Sequence, residues 1–301
     1  MKNVLAKYNN GNYMVVLTED GTKIRFNHSD NLTPSFAENI DCTITTKCDG
    51  GCPYCYLECN EHGVHADLTQ PFFDTLHKGQ ELALNGNDLS HPELLPFLAK
   101  MKKKGVICNI TLNQRHFLKH YKTLMDWSAD KFIHGVGVSL TDSSDKKLYT
   151  VLADFPNAVV HVIDGLTTKE DIQNMSDKGI KMLILGYKRI GYGVGYFDKH
   201  EVEIDNNVKY LRDNLKEISN HFDVVSFDNL AIDNLDVRSC VDKEKWDSMY
   251  MGDEGRYTFF IDAVNKKFAV SSLDEERYNL KDNVDDMFKC VRRITNERNI
   301  L

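Results

Sequence analysis

The chain of 301 residues carries 37 basic and 45 acidic side chains, a formal net charge of −8, with 42% apolar and 27% charged residues. These proportions describe one large or two ordinary globular domains and exclude a disordered tail, and no apolar run approaches the roughly 18 residues of a membrane span. The acidic surplus argues against a bulk electrostatic grip on nucleic acid and leaves only a local basic groove open to it.

The first 27 residues alternate. Apolar runs at 4–7, 13–17 and 23–26 are parted by Asn9-Asn10-Gly11-Asn12 and Glu19-Asp20-Gly21, turn signals that predict a small antiparallel meander. A polar linker with Pro34 runs on to Glu38. No apolar stretch of the export type precedes the meander, so a reducing, cytoplasmic setting is expected. From residue 42 strand and helix patterns alternate. Strands are predicted at 42–46, 81–84, 106–112, 133–140, 159–163, 180–185 and 224–227; helices are predicted at 70–76, 92–104, 116–125, 145–152, 169–177 and 202–219. The helix at 92–104 is representative. Pro92 opens it, Leu94, Leu95, Phe97, Leu98 and Met101 recur at helical spacing, and Gly105 ends it.

Repeated βα units imply an α/β fold with parallel strands joined by right-handed crossovers. Six or seven units fit a partly closed barrel better than a small doubly wound sheet. Chemistry then belongs on the loops that follow the strands. After Asn229 the rhythm breaks into a hairpin at 257–270 and a polar helix at 284–298. Three regions are expected: residues 1–38 as meander and linker, 39–229 as the partial barrel, and 230–301 as an α+β extension that caps it.

Five of the eight cysteines fall between Cys42 and Cys59. Cys48-Asp49-Gly50-Gly51-Cys52-Pro53-Tyr54-Cys55 has the spacing C-x3-C-x2-C, just after the first predicted barrel strand. Composition alone yields this spacing roughly 0.006 times in such a chain. Three thiolates so close converge on one metal centre when the loop wraps it, and Gly50 and Gly51 give the backbone that freedom. Thiolates are soft ligands that favour iron–sulfur clusters or zinc. A closed zinc site takes four ligands. Only one C-x2-C knuckle is present here, so Cys59, His62 and His65 are the available fourth ligands. On a four-iron cluster, three cysteines leave one iron open.

With Tyr54 before its third cysteine, the loop resembles the signature of the radical S-adenosylmethionine (SAM) enzymes, and the resemblance spans residues 41–185. It implies a partial TIM-type barrel of the (β/α)6 kind. By this resemblance Cys48, Cys52 and Cys55 bind three irons of a [4Fe-4S] cluster, and SAM chelates the fourth through its amino and carboxylate groups. One-electron cleavage of the sulfonium then gives a 5′-deoxyadenosyl radical that takes hydrogen from a substrate. The electron comes from an external carrier of the flavodoxin or ferredoxin type. A peptide side chain, a small metabolite and a nucleotide are all open as substrates. Two readings from other classes stand beside this one: a non-catalytic zinc-binding interaction module, and an iron–sulfur protein that only transfers electrons.

The same resemblance extends to other strand ends. Relatives carry Gly-Gly-Glu-Pro after the second strand, and aligning His91-Pro92 sets Asn85-Gly86-Asn87-Asp88 over that motif. Backbone carbonyls there, with Asn87 or Asp88, would hold the SAM amino group, and Tyr54 belongs to the same cofactor-facing loop. Asn113 and Ser139, at the third and fourth strand ends, match polar positions that meet the ribose or carboxylate of SAM, although short polar residues also cap helices at such places. Lys188, after the strand at 180–185, would neutralise the SAM carboxylate. Cys240 is a candidate hydrogen-atom donor to substrate. Gly191-Tyr192-Gly193-Val194-Gly195 lacks the helix that a dinucleotide fingerprint opens at its third glycine, and reads as a flexible loop over the barrel mouth.

Overall fold

In the computed structural model, which describes residues 3–27, 31–155 and 157–298, β1 (Val4–Asn10), β2 (Tyr13–Thr18) and β3 (Lys23–Phe26) form the expected antiparallel meander. Seven parallel strands follow: β4 (Asn39–Thr43), β5 (Glu81–Asn87), β6 (Ile107–Asn113), β7 (Gly135–Ser139), β8 (Ala158–Ile163), β9 (Lys181–Leu185) and β10 (Val224–Phe227). After β5 each strand leads into a helix: α1 (Leu94–Lys104), α2 (Gln114–Ala129), α3 (Lys146–Ala153), α4 (Lys169–Met175), α5 (Tyr192–Ile218) and α6 (Asn229–Asn234). The helix expected at 70–76 is a single 3-10 turn, Pro71–Thr75. No helix among the described residues is long and apolar enough to cross a membrane.

Along β5, β6 and β8 a buried residue alternates with a half-exposed one, the period of a pleated strand whose two faces differ. Leu82, Leu84, Ile110, Leu112, Val136 and Val138 share one core with Phe97, Leu98, Met101, Phe117 and Leu124 of α1 and α2. Val160, Val162, Met182 and Ile184 share a second with Leu211 and Leu215 of α5. The helices therefore cover the apolar face. The opposite face is polar and carries Asp41, Asn85, Asn109, Thr111, Ser139 and His161.

The region after β10, expected as an α+β extension, divides between the two ends of the sheet. Residues 235–246 pack Leu235, Val237, Cys240 and Trp246 onto the helix side of β8 and β9, and α7 (Lys243–Met249) follows there. Then β11 (Thr258–Asp262) pairs in parallel with β4, and β12 (Lys267–Ala269) and β13 (Tyr278–Asn279) extend that edge. The sheet order is β10-β9-β8-β7-β6-β5-β4-β11-β12-β13, and β10 and β13, its two outermost strands, do not pair. It is an open sheet in which the strand leading to the cysteine loop is internal. The final helix, α8 (Val284–Arg298), buries Val284, Met287, Phe288, Val291 and Ile294 on the first core.

The meander sits at the N-terminal ends of the strands. Glu38, immediately before β4, is fully buried. It accepts from Arg25 Nε and Nη2 at 2.8 and 2.9 Å and from the Tyr13 hydroxyl at 2.6 Å, with Lys23 at 3.5 Å. Burial pushes the Glu38 carboxyl up. The Arg25 hydrogen bonds and the charges of Lys23 and Arg25 outweigh it and hold the pKa below the ordinary glutamate value.

Candidate functional site

The cysteine loop leaves the C-terminal end of β4 and folds back on itself. Cys48 N–H donates to Asn60 O at 2.9 Å, Asn60 N–H to Thr46 O at 3.1 Å, and Thr46 N–H to Val64 O at 2.9 Å. Gly63 lets the returning chain pass this close, since a Cβ there would lie 2.1 Å from Thr46 O. Inside the loop, Gly50 leaves a space between two thiols. A Cβ on it would stand 3.1 Å from Cys48 Sγ, 3.8 Å from Cys52 Sγ and 3.7 Å from His116 Cε1.

Neighbouring strand ends brace this loop. Asn85 on β5 accepts from Ile44 N–H at 2.7 Å and donates to Thr45 O at 2.6 Å. Asn87, in a left-handed conformation (φ 48°), donates to Thr45 O, to Lys47 O and, at 3.4 Å, to Cys59 Sγ. Gly86 packs against Ile110. Asn113 caps α2 through Arg115 N–H and turns its amide to Cys52 Sγ at 3.5 Å. Arg115 binds the Asp49 carboxylate at 2.8 Å, and His116 Nε2 makes a short contact with the same oxygen. The structure thus brings Asn85, Asn87 and Asn113 to the cysteine loop itself. Asp88 is nearby, with one oxygen accepting from Ser90 N–H at 3.0 Å.

Other candidates are placed differently. Ser139 lies opposite Asn113 and His161 in register on the polar face. Lys188 donates to Ser272 Oγ at 2.8 Å and lies 4.2 Å over the Tyr56 ring, joining the end of β9 to the C-terminal region. Tyr54 is half-buried, edge-on to Tyr196 at 5.6 Å, and burial pushes its hydroxyl up to about 12. Cys240 packs on the helix side of the sheet, away from the polar face where a hydrogen donor to substrate would have to stand. The glycine-rich stretch expected as a flexible loop is the first turn of α5. Gly191 takes φ 56°, Tyr192 N–H donates to Cys55 O at 3.2 Å, and a Cβ on Gly193 would meet Lys188 O at 2.3 Å. Close packing accounts for Gly191 and Gly193.

The thiols differ in character. Burial pushes Cys48 up to about 11 and also raises Cys52. Cys55 is held below the ordinary thiol range because it accepts a hydrogen bond from the Cys59 thiol, supported by backbone N–H groups of residues 57–59; Cys59 is raised correspondingly. Among the described residues no three His, Cys, Asp or Glu side chains stand around a point sized for a single ion. Thiolates that bind separate irons occupy separate corners of a cluster, so a wider spacing is what such a group needs. The donor set, the Gly50 space and the unpartnered buried Nδ1 of His116 beside that space fit it.

Two features were not singled out from the sequence. His116 and His120 stand four residues apart on α2, and buried nitrogens of both find no partner among the described residues; the H-x3-H spacing was the available signal. His161 projects from β8 across Gly137, where a Cβ would stand 2.3 Å from its ring and 2.7 Å from Thr111 Oγ1. Burial pushes its pKa down to about 4, which leaves a neutral imidazole on the polar face at neutral pH.

No family model matches the sequence, and no curated protein matches it by sequence. The fold has similar solved structures. A crystal structure of Streptococcus suis SuiB matches over 93% of this chain and 85% of that one, with a TM-score of 0.55 and 12% identity. A crystal structure of SuiB bound to S-adenosylmethionine matches over 97% and 89%, with a TM-score of 0.60 and 11% identity. At such identities the likeness is one of fold.

Proposed function

We propose that this chain is a radical SAM enzyme in which Cys48, Cys52 and Cys55 hold a [4Fe-4S] cluster. The observation that carries the reading is the C-x3-C-x2-C loop at the C-terminal end of β4, in an open βα sheet similar in fold to a protein crystallised with S-adenosylmethionine. When bound, the cluster supplies one-electron cleavage of the SAM sulfonium, and with it an oxidant able to take hydrogen from unactivated carbon. The protein's own part is to hold and shield. Asn85 and Asn87 fix the chain entering the loop, and Asn113 fixes Cys52. The Asp88 carboxylate, with the backbone carbonyls of residues 85 and 86, binds the amino group of SAM. Ser139, Thr111 and the neutral His161 line the polar face on which the substrate rests, and His161 is placed to accept a hydrogen bond or a proton there.

Anaerobic reconstitution with iron and sulfide tests this reading. A brown chromophore, and reductant-dependent release of 5′-deoxyadenosine from SAM, are expected. A colourless protein holding stoichiometric zinc would refute it. One observation bears on that alternative: Cys59 is buried beside the loop, its Sγ 3.4 Å from the Asn87 amide, and would be the fourth thiol of a closed zinc site, although among the described residues the donors do not stand around one point. Loss of all metal in Cys59→Ser would support zinc; full retention of the chromophore supports the cluster.

A further inference from the structure

We propose that His116 is a fourth protein ligand of the cysteine-bound centre, its Nδ1 filling the iron position that three cysteines leave open until SAM displaces it. The inference rests on the radical SAM reading and extends it to the protein before SAM binds. Three cysteines on four irons leave one position without a protein ligand. The donors nearest to the loop in sequence are engaged or turned away. Cys59 Sγ accepts from the Asn87 amide at 3.4 Å, His65 Nδ1 bonds the Thr45 hydroxyl at 2.9 Å, and His62 is exposed.

His116 reaches the loop from a different element, the first turn of α2, and its side chain is only 1% exposed. One ring nitrogen is already committed. Nε2 makes the short contact with Asp49 Oδ1, and Arg115 holds that carboxylate at 2.8 Å. An ionised carboxylate accepts and does not donate, so Nε2 carries a proton, and in the neutral ring the free lone pair is on Nδ1. That nitrogen is buried and has no partner among the described residues. A buried polar atom left in this condition is costly and rare, and calls for a group that would complete it.

The ring stands at the thiols. The point where a Cβ on Gly50 would lie is 3.1 Å from Cys48 Sγ, 3.8 Å from Cys52 Sγ and 3.7 Å from His116 Cε1, the ring atom bonded to Nδ1. Both sulfurs have N–H donors of their own, Gly50 N–H at 3.3 Å from Cys48 Sγ and the Asn113 amide at 3.5 Å from Cys52 Sγ. A lone pair offers nothing to thiolates, which are acceptors themselves, but it is what an iron takes. Imidazole replaces thiolate on iron in some iron–sulfur centres. A carboxylate on the far nitrogen is the regular companion of a metal-bound histidine, where it fixes the tautomer and raises the basicity of the ligand, and Asp49 stands in that place. The exchange with SAM balances. The Fe–N bond to His116 breaks, the amino and carboxylate groups of SAM bind the same iron, the Nε2 proton stays on His116 against Asp49, and no electron moves.

The test uses full-length protein labelled with nitrogen-15 histidine, reconstituted anaerobically with iron and sulfide, reduced with dithionite and examined by pulsed electron paramagnetic resonance. Without SAM, the spectrum should show the strong nitrogen-15 coupling of an imidazole bound directly to iron. Adding SAM should abolish it. His116→Gln should lose the coupling with its iron content unchanged, and His120→Gln, one turn further along α2, should keep it. Should His116→Gln fail to hold iron, the variant His62→Gln/His65→Gln/His120→Gln carries the decision, since its coupling should persist. Iron-loaded wild-type protein without a histidine coupling would overturn the proposal, as would a coupling that survives in His116→Gln, that survives SAM binding, or that vanishes in the variant retaining His116. Protein that takes up no iron would overturn the radical SAM reading and this inference with it. Iron-loaded protein that releases 5′-deoxyadenosine from SAM but shows no histidine coupling would overturn this inference alone.

Discussion

At the N-terminal end of β4, Glu38 is wholly buried and meets Arg25, Lys23 and Tyr13. At the C-terminal end, Cys48, Cys52 and Cys55 are half-exposed and their loop is braced by three asparagine side chains and one buried imidazole with an idle nitrogen. The same short strand therefore joins a saturated polar network to an unsaturated one. Saturated networks contribute rigidity, and their loss is costly because a charge is left stranded. Unsaturated groups near a surface await a partner from outside. Parallel βα folds divide labour in this way, with stability at one end of the strands and chemistry at the other.

Removing a thiol should separate the two ends most sharply. Cys48→Ala, Cys52→Ala and Cys55→Ala are each expected to abolish the iron chromophore, because each removes one of the three cysteine ligands proposed for it. Unfolding of the metal-free proteins in urea should stay within about 1 kcal/mol of wild type. Loss of several kcal/mol in any of them would mean that the loop also carries the fold. The converse is Glu38→Ala. It strands Arg25 beneath the meander and should cost about 3–5 kcal/mol in urea unfolding, while iron bound per folded chain is unchanged. Undiminished stability would show that the meander is merely attached.

A smaller effect belongs to the proposed SAM pocket. Asp88→Ala should weaken SAM binding about tenfold, or about 1.4 kcal/mol, with the chromophore intact; equal affinity by calorimetry would leave the amino group to backbone carbonyls alone. The charge on Glu38 can be separated from its packing by pH. Glu38 is held below its unfolded pKa of about 4.3. Its stabilisation is thus fully present above that pH and is lost as pH falls through the folded value. The stability gap between wild type and Glu38→Gln, large at pH 7, should shrink steadily below about pH 4. A gap that stays constant into acid would assign the effect to packing rather than charge.

Much of this was legible in the residues. The C-x3-C-x2-C spacing is local, and so are the turn pairs of the meander, the periodicity of α1 and the alternation of β5 and β6. The last helix, expected at 284–298, carries Val284, Met287, Phe288, Val291 and Ile294 at local helical spacing. What failed to show was long-range. Nothing in the run 258–262 announces that it pairs with β4, since a buried strand reads alike wherever it inserts. Gly191 and Gly193 were misread because a glycine needed for close approach to Lys188 O is indistinguishable in sequence from one needed for freedom. Asn85, Asn87 and Asn113 stand at strand ends as expected, but their attachment to the cysteine loop depends on which ends become neighbours.

The placement of β11 has a consequence for how the protein is made. It pairs with β4 but follows it only after all the strands from β5 to β10, so during synthesis one edge of β4 stays unpaired until those units have been made. Pairings this distant form late and slowly, and an open strand edge in the meantime invites association with other chains. The cysteine loop hangs from that strand. Its base is complete only once β11 has docked, so chains that have not yet made this pairing are expected to be poor recipients for the proposed metal centre.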